Sequence, residues 1–182
     1  ILLKATGSEL DKLKLEKRNL EDSSKKVPAE LLERITRLER RLKDVEAIQK
    51  KYIVKAEDTY IYEQHGQVGF NAYTSHDVTN YQIRLPANRL EVWAKMESDR
   101  LKNPILREYY TERDVIMEER RMRVENRGAG ILREKYLALA FGEHAYGQPV
   151  IGYESNIPFL DVYETGDFFK KHYTPDNMVI AI

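Results

Sequence analysis

Glu112 and Glu119 stand seven residues apart in Thr111–Glu125, TERDVIMEERRMRVE, a segment dense in helix-forming residues. Seven residues is nearly two helical turns, so both carboxylates would share one face, about 10.5 Å apart along the axis. A metal–oxygen bond is only about 2 Å long, so on a straight helix a single ion cannot bond directly to both. If a metal is present, one Glu is a ligand and the other supports the site. Arg113, Arg120, Arg121 and Arg123 offer a plainer alternative, in which both glutamates are salt-bridging surface residues. A second candidate is Asn71-Ala72-Tyr73-Thr74-Ser75, which reads either as an ordinary sheet strand or as an exposed edge that receives an extended peptide by backbone pairing. In the second case the small Ala72 would let the peptide approach closely.

Other chemistries find little support. His65, His76, His144 and His172 have no spacing that places two on one helix face, so the chain has neither an HExxH nor an HxxEH zinc pair. The glycines occur singly in turn contexts, with no nucleophile elbow and no phosphate loop. There is no cysteine, which removes disulfides, thiol nucleophiles and thiolate zinc ligands and leaves a reducing compartment and a bacterial periplasm both open. Lys+Arg and Asp+Glu are balanced at 30 each, so no overall basic field draws the protein onto nucleic acid or anionic membrane. The longest apolar runs are too short to span a bilayer.

The 182 residues suffice for one ordinary domain, or for a domain plus an appendage. From Glu9 to about Val54 the chain lacks glycine, has no aromatic before Tyr52, and is dense in Leu, Lys, Arg and Glu. Leu31, Ile35, Leu38, Leu42, Val45 and Tyr52 follow the four-and-three spacing of a coiled-coil seam, with Gln49 at the one missing position. A weaker seam runs through Leu10, Leu13 and Leu20, and Asp22-Ser23-Ser24 with Val27-Pro28 separates the two. The pattern predicts an antiparallel helical hairpin over 1–56, with solvated charged faces.

From residue 57 onward the grammar changes. Thr59–Tyr62, Phe70–Ser75 and Thr79–Leu85 read as strands, with a turn between Gly66 and Gly69. Helices are expected over Asn88–Leu101, Leu106–Glu125 and Gly130–Phe141. Asp161 with Glu164 has the spacing of a capping box for a last helix ending near Tyr173, and Pro175 leads into a final strand in MVIAI. Strands and helices fall in blocks, which predicts an α+β fold with an antiparallel sheet packed against helices.

Several stretches, taken in order, resemble the insulinase (pitrilysin-type) zinc metallopeptidases: Gly66–Ser75, Asp77–Tyr81, Met96–Leu101, Glu112–Arg123 and Tyr146–Gly152. Order and spacing agree from Gly66 to the end, nearly two thirds of the chain, although a lone Gly-x-x-Gly or Asn-Ala pair would mean little. In that family an HxxEH motif on an upstream helix supplies two zinc-binding histidines and the Glu that activates water, and a distal Glu completes the ligands. The resemblance places that distal ligand at Glu119 and a supporting acid at Glu112, and it makes Asn71, Ala72 and Tyr73 part of the strand that holds the substrate backbone. It implies a Zn2+-dependent metalloendopeptidase acting on peptides or unfolded polypeptides, with a homologous second domain or subunit as a further partner.

The chain departs from the family pattern in two ways. HxxEH is absent, so the 182 residues are expected to be a fragment whose remaining ligands lie upstream, and 57–182 part of the peptidase domain. The 1–56 hairpin resembles an insertion found in a bacterial, exported branch of the family. The rival reading is a non-catalytic family subunit that binds or scaffolds an active partner; retention of both glutamates favours the enzyme. Treating the hairpin as a separate interaction module is a third reading, weakened by its short seam.

Overall fold

A computed structural model describes all 182 residues, as seven α-helices and one antiparallel ribbon. The chain divides into two compact units: Ile1–Ile53, Leu106–Arg120 and Tyr153–Ile182 form the first, Val54–Ile105 and Arg121–Gly152 the second. No helix is long and apolar enough to cross a membrane.

In the first unit, α1 (Leu2–Asp22) and α2 (Ala29–Gln49) form the expected hairpin. Leu10 and Leu13 of α1 pack against Leu31, Ile35 and Leu38 of α2. Leu20 and Val27 flank the connecting turn, while Leu42 and Val45 reach a second cluster around Leu3, so the helices run antiparallel. The seam stops short of its predicted end. Helix α2 closes at Gln49, whose side-chain amide donates to the Arg107 carbonyl at 2.8 Å, and Tyr52 is 82% exposed. Helix α1 also starts earlier than Glu9 and runs through Gly7.

The second cluster joins the hairpin to α5 (Tyr109–Arg120) and α7 (Val162–His172) through Leu3, Tyr110 and Val162. Asp161 caps α7 as its spacing predicts, accepting from the N–H groups of Tyr163 (2.8 Å) and Glu164 (3.2 Å). The reciprocal bond from Glu164 is not made. After α7, Met178 has extended dihedrals, but Met178–Ile182 pairs with no strand, so the expected final strand is not formed.

The second unit carries α3 (Glu57–Gln64), β1 (Val68–Thr74), β2 (Thr79–Arg84), α4 (Leu90–Lys102) and α6 (Gly128–Phe141). The predicted strand over Thr59–Tyr62 is instead helical. Two influences override its β-prone residues. Glu57 and Asp58 suit the dipole of a first helical turn, and Gly66 at φ +76° ends the helix, with Gln67 N–H on Tyr62 O (3.1 Å) and Gly66 N–H on Glu63 O (3.0 Å). The helix buries Tyr62, which lies 5.1 Å from the Phe70 ring of β1 and donates to Glu97 of α4 at 2.8 Å. Arg100, ion-paired with Glu97, sits over the Tyr81 ring of β2. The ribbon is thus packed against helices, an α+β arrangement. The helix predicted over Leu106–Glu125 is α5 followed by a wider, π-helical turn at Arg121–Glu125.

The Asp161 cap gives a pH signature. Burial works against its charge, but the Ser8 hydroxyl, the two N–H groups and Lys12 outweigh it and hold the carboxyl below the usual range. The unfolded chain therefore takes up the proton first, so the cap stabilises fully above the ordinary Asp range and fades as pH falls through its lower folded value. Asp161→Ala should cost about 1 kcal/mol at pH 7 in urea unfolding, and the gap from wild type should narrow below about pH 4. A gap that does not change with pH would contradict the assignment.

Candidate functional site

The acidic face of α5 is defined by what the opposite face must bury. At about 100° per residue, Glu119 lies within about 20° of Glu112, whereas Arg113 and Tyr110 project about 100° and 160° away. Glu112 is exposed and Glu119 half-buried. Tyr110 is 4% exposed and lies against α1 at Gly7, where a Cβ would fall 2.0 Å from the Tyr110 ring carbon Cζ. Only glycine leaves room for that ring.

Beside it, the Arg113 guanidinium grips Asp11 of α1 with two hydrogen bonds, Nη1 to Oδ2 at 2.8 Å and Nη2 to Oδ1 at 3.0 Å. Nη1 also donates to the Leu160 carbonyl at 2.9 Å, and the guanidinium lies over the Tyr110 ring. Burial raises the Asp11 carboxyl above its ordinary range, and Arg113 only partly offsets this. On Arg113 burial acts downward but is outweighed by Asp11, so the guanidinium stays charged. Tyr109 bonds Thr165 of α7 at 2.9 Å. Helix α5 is therefore fixed in rotation by α1 and α7, with Glu112 and Glu119 outside the face so held; Glu112 lies about 160° from Tyr110 and about 100° from Arg113 but only about 60° from Tyr109. Asp11 and Gly7 are not among the residues expected from the sequence to position the site. A signal was present: Leu3, Gly7, Leu10 and Asp11 keep helical spacing, so one face of α1 carries a carboxylate and a glycine within an apolar stripe.

In the second unit, Asn71, Ala72 and Tyr73 lie on β1, paired with Gln82, Tyr81 and Asn80 of β2. A one-residue register shift between Val68 and Asn71 coincides with Gly69 at φ +72°, the left-handed residue of a β-bulge, placed immediately before the candidate segment. The sheet has only these two strands, so the far edge of β1 has no strand beside it. All three candidates are exposed, and the Asn71 side-chain oxygen accepts from Ala72 N–H at 2.9 Å. The two glutamates thus share one helix of the first unit, and the three strand residues share one strand of the second.

Zinc centres take three or four protein ligands. No three His, Asp or Glu side chains of this chain gather in a way that could hold a metal ion. The residues present do not by themselves fit the metal; they offer single carboxylates.

The family described as Insulinase (Peptidase family M16) matches residues 50–154, more than half of the chain. The chain belongs to this family. An uncharacterized zinc protease of Mycobacterium leprae is 31% identical over 114 residues, 62% of this chain and 25% of the relative. The zinc protease PqqE of Helicobacter pylori is 28% identical over 114 residues, covering 62% and 26%. The crystal structure of a protease from Helicobacter pylori superposes with a TM-score of 0.64 at 28% identity, over 69% of this chain and 30% of that one. The chain spans about a quarter of the length of the curated relatives it matches.

The fixing of α5 has a measurable energetic consequence. Asp11→Ala leaves a buried guanidinium without its carboxylate and should destabilise the protein by about 3 kcal/mol in urea unfolding. Pairing Asp11→Leu with Arg113→Met should recover part of that loss, because it removes both charges together. A loss under about 1 kcal/mol for Asp11→Ala would show that the pair does not hold α5.

Proposed function

We propose that this chain is part of a zinc-dependent metalloendopeptidase that hydrolyses peptide bonds in peptides or unfolded polypeptides. Residues 1–56 form its inserted helical hairpin and 57–182 part of its peptidase domain. The observation that carries the proposal is the pair of carboxylates on one face of α5, turned away from the face that Tyr110 and Arg113 bury. In this reading Glu119 is the single zinc ligand supplied by the chain, and the other ligands come from elsewhere in the whole polypeptide. Glu112, about 10.5 Å along the helix, supports the site without bonding the metal. The half-buried position of Glu119 and the exposed one of Glu112 suit this division.

Asn71-Ala72-Tyr73 contributes the substrate edge. Backbone pairing along β1 suits a peptidase that accepts many sequences, because main-chain N–H and C=O groups are common to all peptides. Ala72 projects little beyond the backbone, and the bulge at Gly69 sets the direction of the strand just before it. Family membership, together with relatives named zinc proteases, supports the reaction class.

The test uses the full-length protein. Glu119→Gln should lose bound zinc and peptide hydrolysis together, whereas Glu112→Gln should slow turnover about 10- to 100-fold with zinc largely retained. Zinc loss of equal size in both variants would contradict the roles. A wild-type protein that neither holds zinc nor cleaves peptides would instead be a non-catalytic subunit of the family.

A further inference from the structure

The turn joining β1 to β2 is gripped from outside the sheet. At its tip, Asp77 Oδ2 accepts a 2.6 Å hydrogen bond from the phenol of Tyr146. The neighbouring His76 Nε2 lies 3.0 Å from the Gln148 carbonyl oxygen, and because a carbonyl only accepts, that nitrogen carries the proton. The His76 and Tyr146 rings are 4.9 Å apart. Tyr146 in turn packs edge-on against His144 at 4.8 Å and Phe141 at 5.7 Å, and its N–H donates to His144 Nδ1 at 3.1 Å. Gly147 is buried, and a Cβ there would lie 2.9 Å from the Gly142 carbonyl, so the loop is drawn back onto the end of α6. A continuous set of contacts runs from α6 through Tyr146 to the tip of the ribbon, all within the second unit.

The ribbon needs such support. A two-stranded hairpin is at best marginally stable alone, and every β1 residue except Phe70 is exposed. Phe70 anchors the near end of β1 on Tyr62, and the far end is held by a turn bond from Ser75 N–H to Val78 O (2.8 Å) and by the Tyr146 and His76 contacts. A peptide that pairs along β1 requires aligned backbone groups between these two ends. If the tip were loose, binding would have to order it, and the entropy of ordering would be subtracted from affinity.

We propose that Tyr146, with Asp77 as its acceptor, is a positioning residue for substrate: it holds the tip of the β1–β2 ribbon so that β1 presents a pre-ordered edge to an extended peptide. This inference rests on β1 being the peptide-binding edge. It gives the Tyr146–Gly152 stretch a physical task, because the loop that carries Tyr146 and Gln148 contacts the ribbon at Asp77 and His76.

The test compares full-length variants on one unstructured peptide. Tyr146→Phe removes only the hydroxyl and should raise KM about threefold to tenfold, with the loss falling on KM rather than kcat. Asp77→Asn, whose amide oxygen still accepts, should retain most of the affinity. In an Asp77→Ala background, Tyr146→Phe should add nothing further, since the pair acts as a unit. An unchanged KM in Tyr146→Phe, or independent and additive effects of the two changes, would overturn the positioning role. If wild type binds the peptide and Tyr146→Phe binds it equally well, the positioning role alone fails. If wild type captures no extended peptide, the edge itself is misassigned and both fall.

Discussion

The first unit turns on the ion pair between Asp11 and Arg113. Two charges removed from water are tolerable only when their geometry compensates, and here a planar guanidinium meets a carboxylate through two short bonds while a third donor contact reaches Leu160 O. Such a pair is directional in a way that apolar contacts are not. It fixes the rotation of α5 about its axis, and the Tyr110 ring lodged against Gly7 fixes how closely α5 approaches α1. The acidic face follows from these two contacts, because a rigid helix with one face held has no freedom in where the other points.

The second unit uses a different economy. Its ribbon has little core of its own, and order comes from contacts at both ends: Phe70 on Tyr62 near the bulge, Tyr146 on Asp77 at the turn. Glu97 and Arg100, within a stretch that carries the family resemblance, are accounted for by structure, one accepting from the Tyr62 hydroxyl and the other lying over Tyr81. Gly130 has a similar explanation. A Cβ there would lie 2.6 Å from the Arg123 carbonyl, so α6 can close onto the π-helical turn only with glycine at that position.

Much of the local structure was legible in the chain. The two seams gave the hairpin, Asp161 gave the start of α7, and the separation of Phe70–Ser75 from Thr79–Leu85 gave the ribbon to within two residues. The error at Thr59–Tyr62 is instructive. Four β-prone residues favour a strand by propensity, but the acidic residues before them and Gly66 after them are a start and a stop signal for a helix. Tyr52 and Met178–Ile182 failed for a different reason: periodicity shows which residues could bury or pair, but burial and pairing need a partner surface.

The sequence by itself determined the helix face that Glu112 and Glu119 share, because helical pitch is a local property of the backbone, and the family, because ordered motifs accumulate along the chain. Tertiary structure decided which side of that helix is held. Asp11 and Arg113 are 102 positions apart, and Asp77 and Tyr146 are 69 apart. Spacing places Asp11 on the apolar face of α1, but neither pairing is readable from the chain, since a hydrogen bond between distant side chains depends on where the folded backbone brings them and not on their spacing.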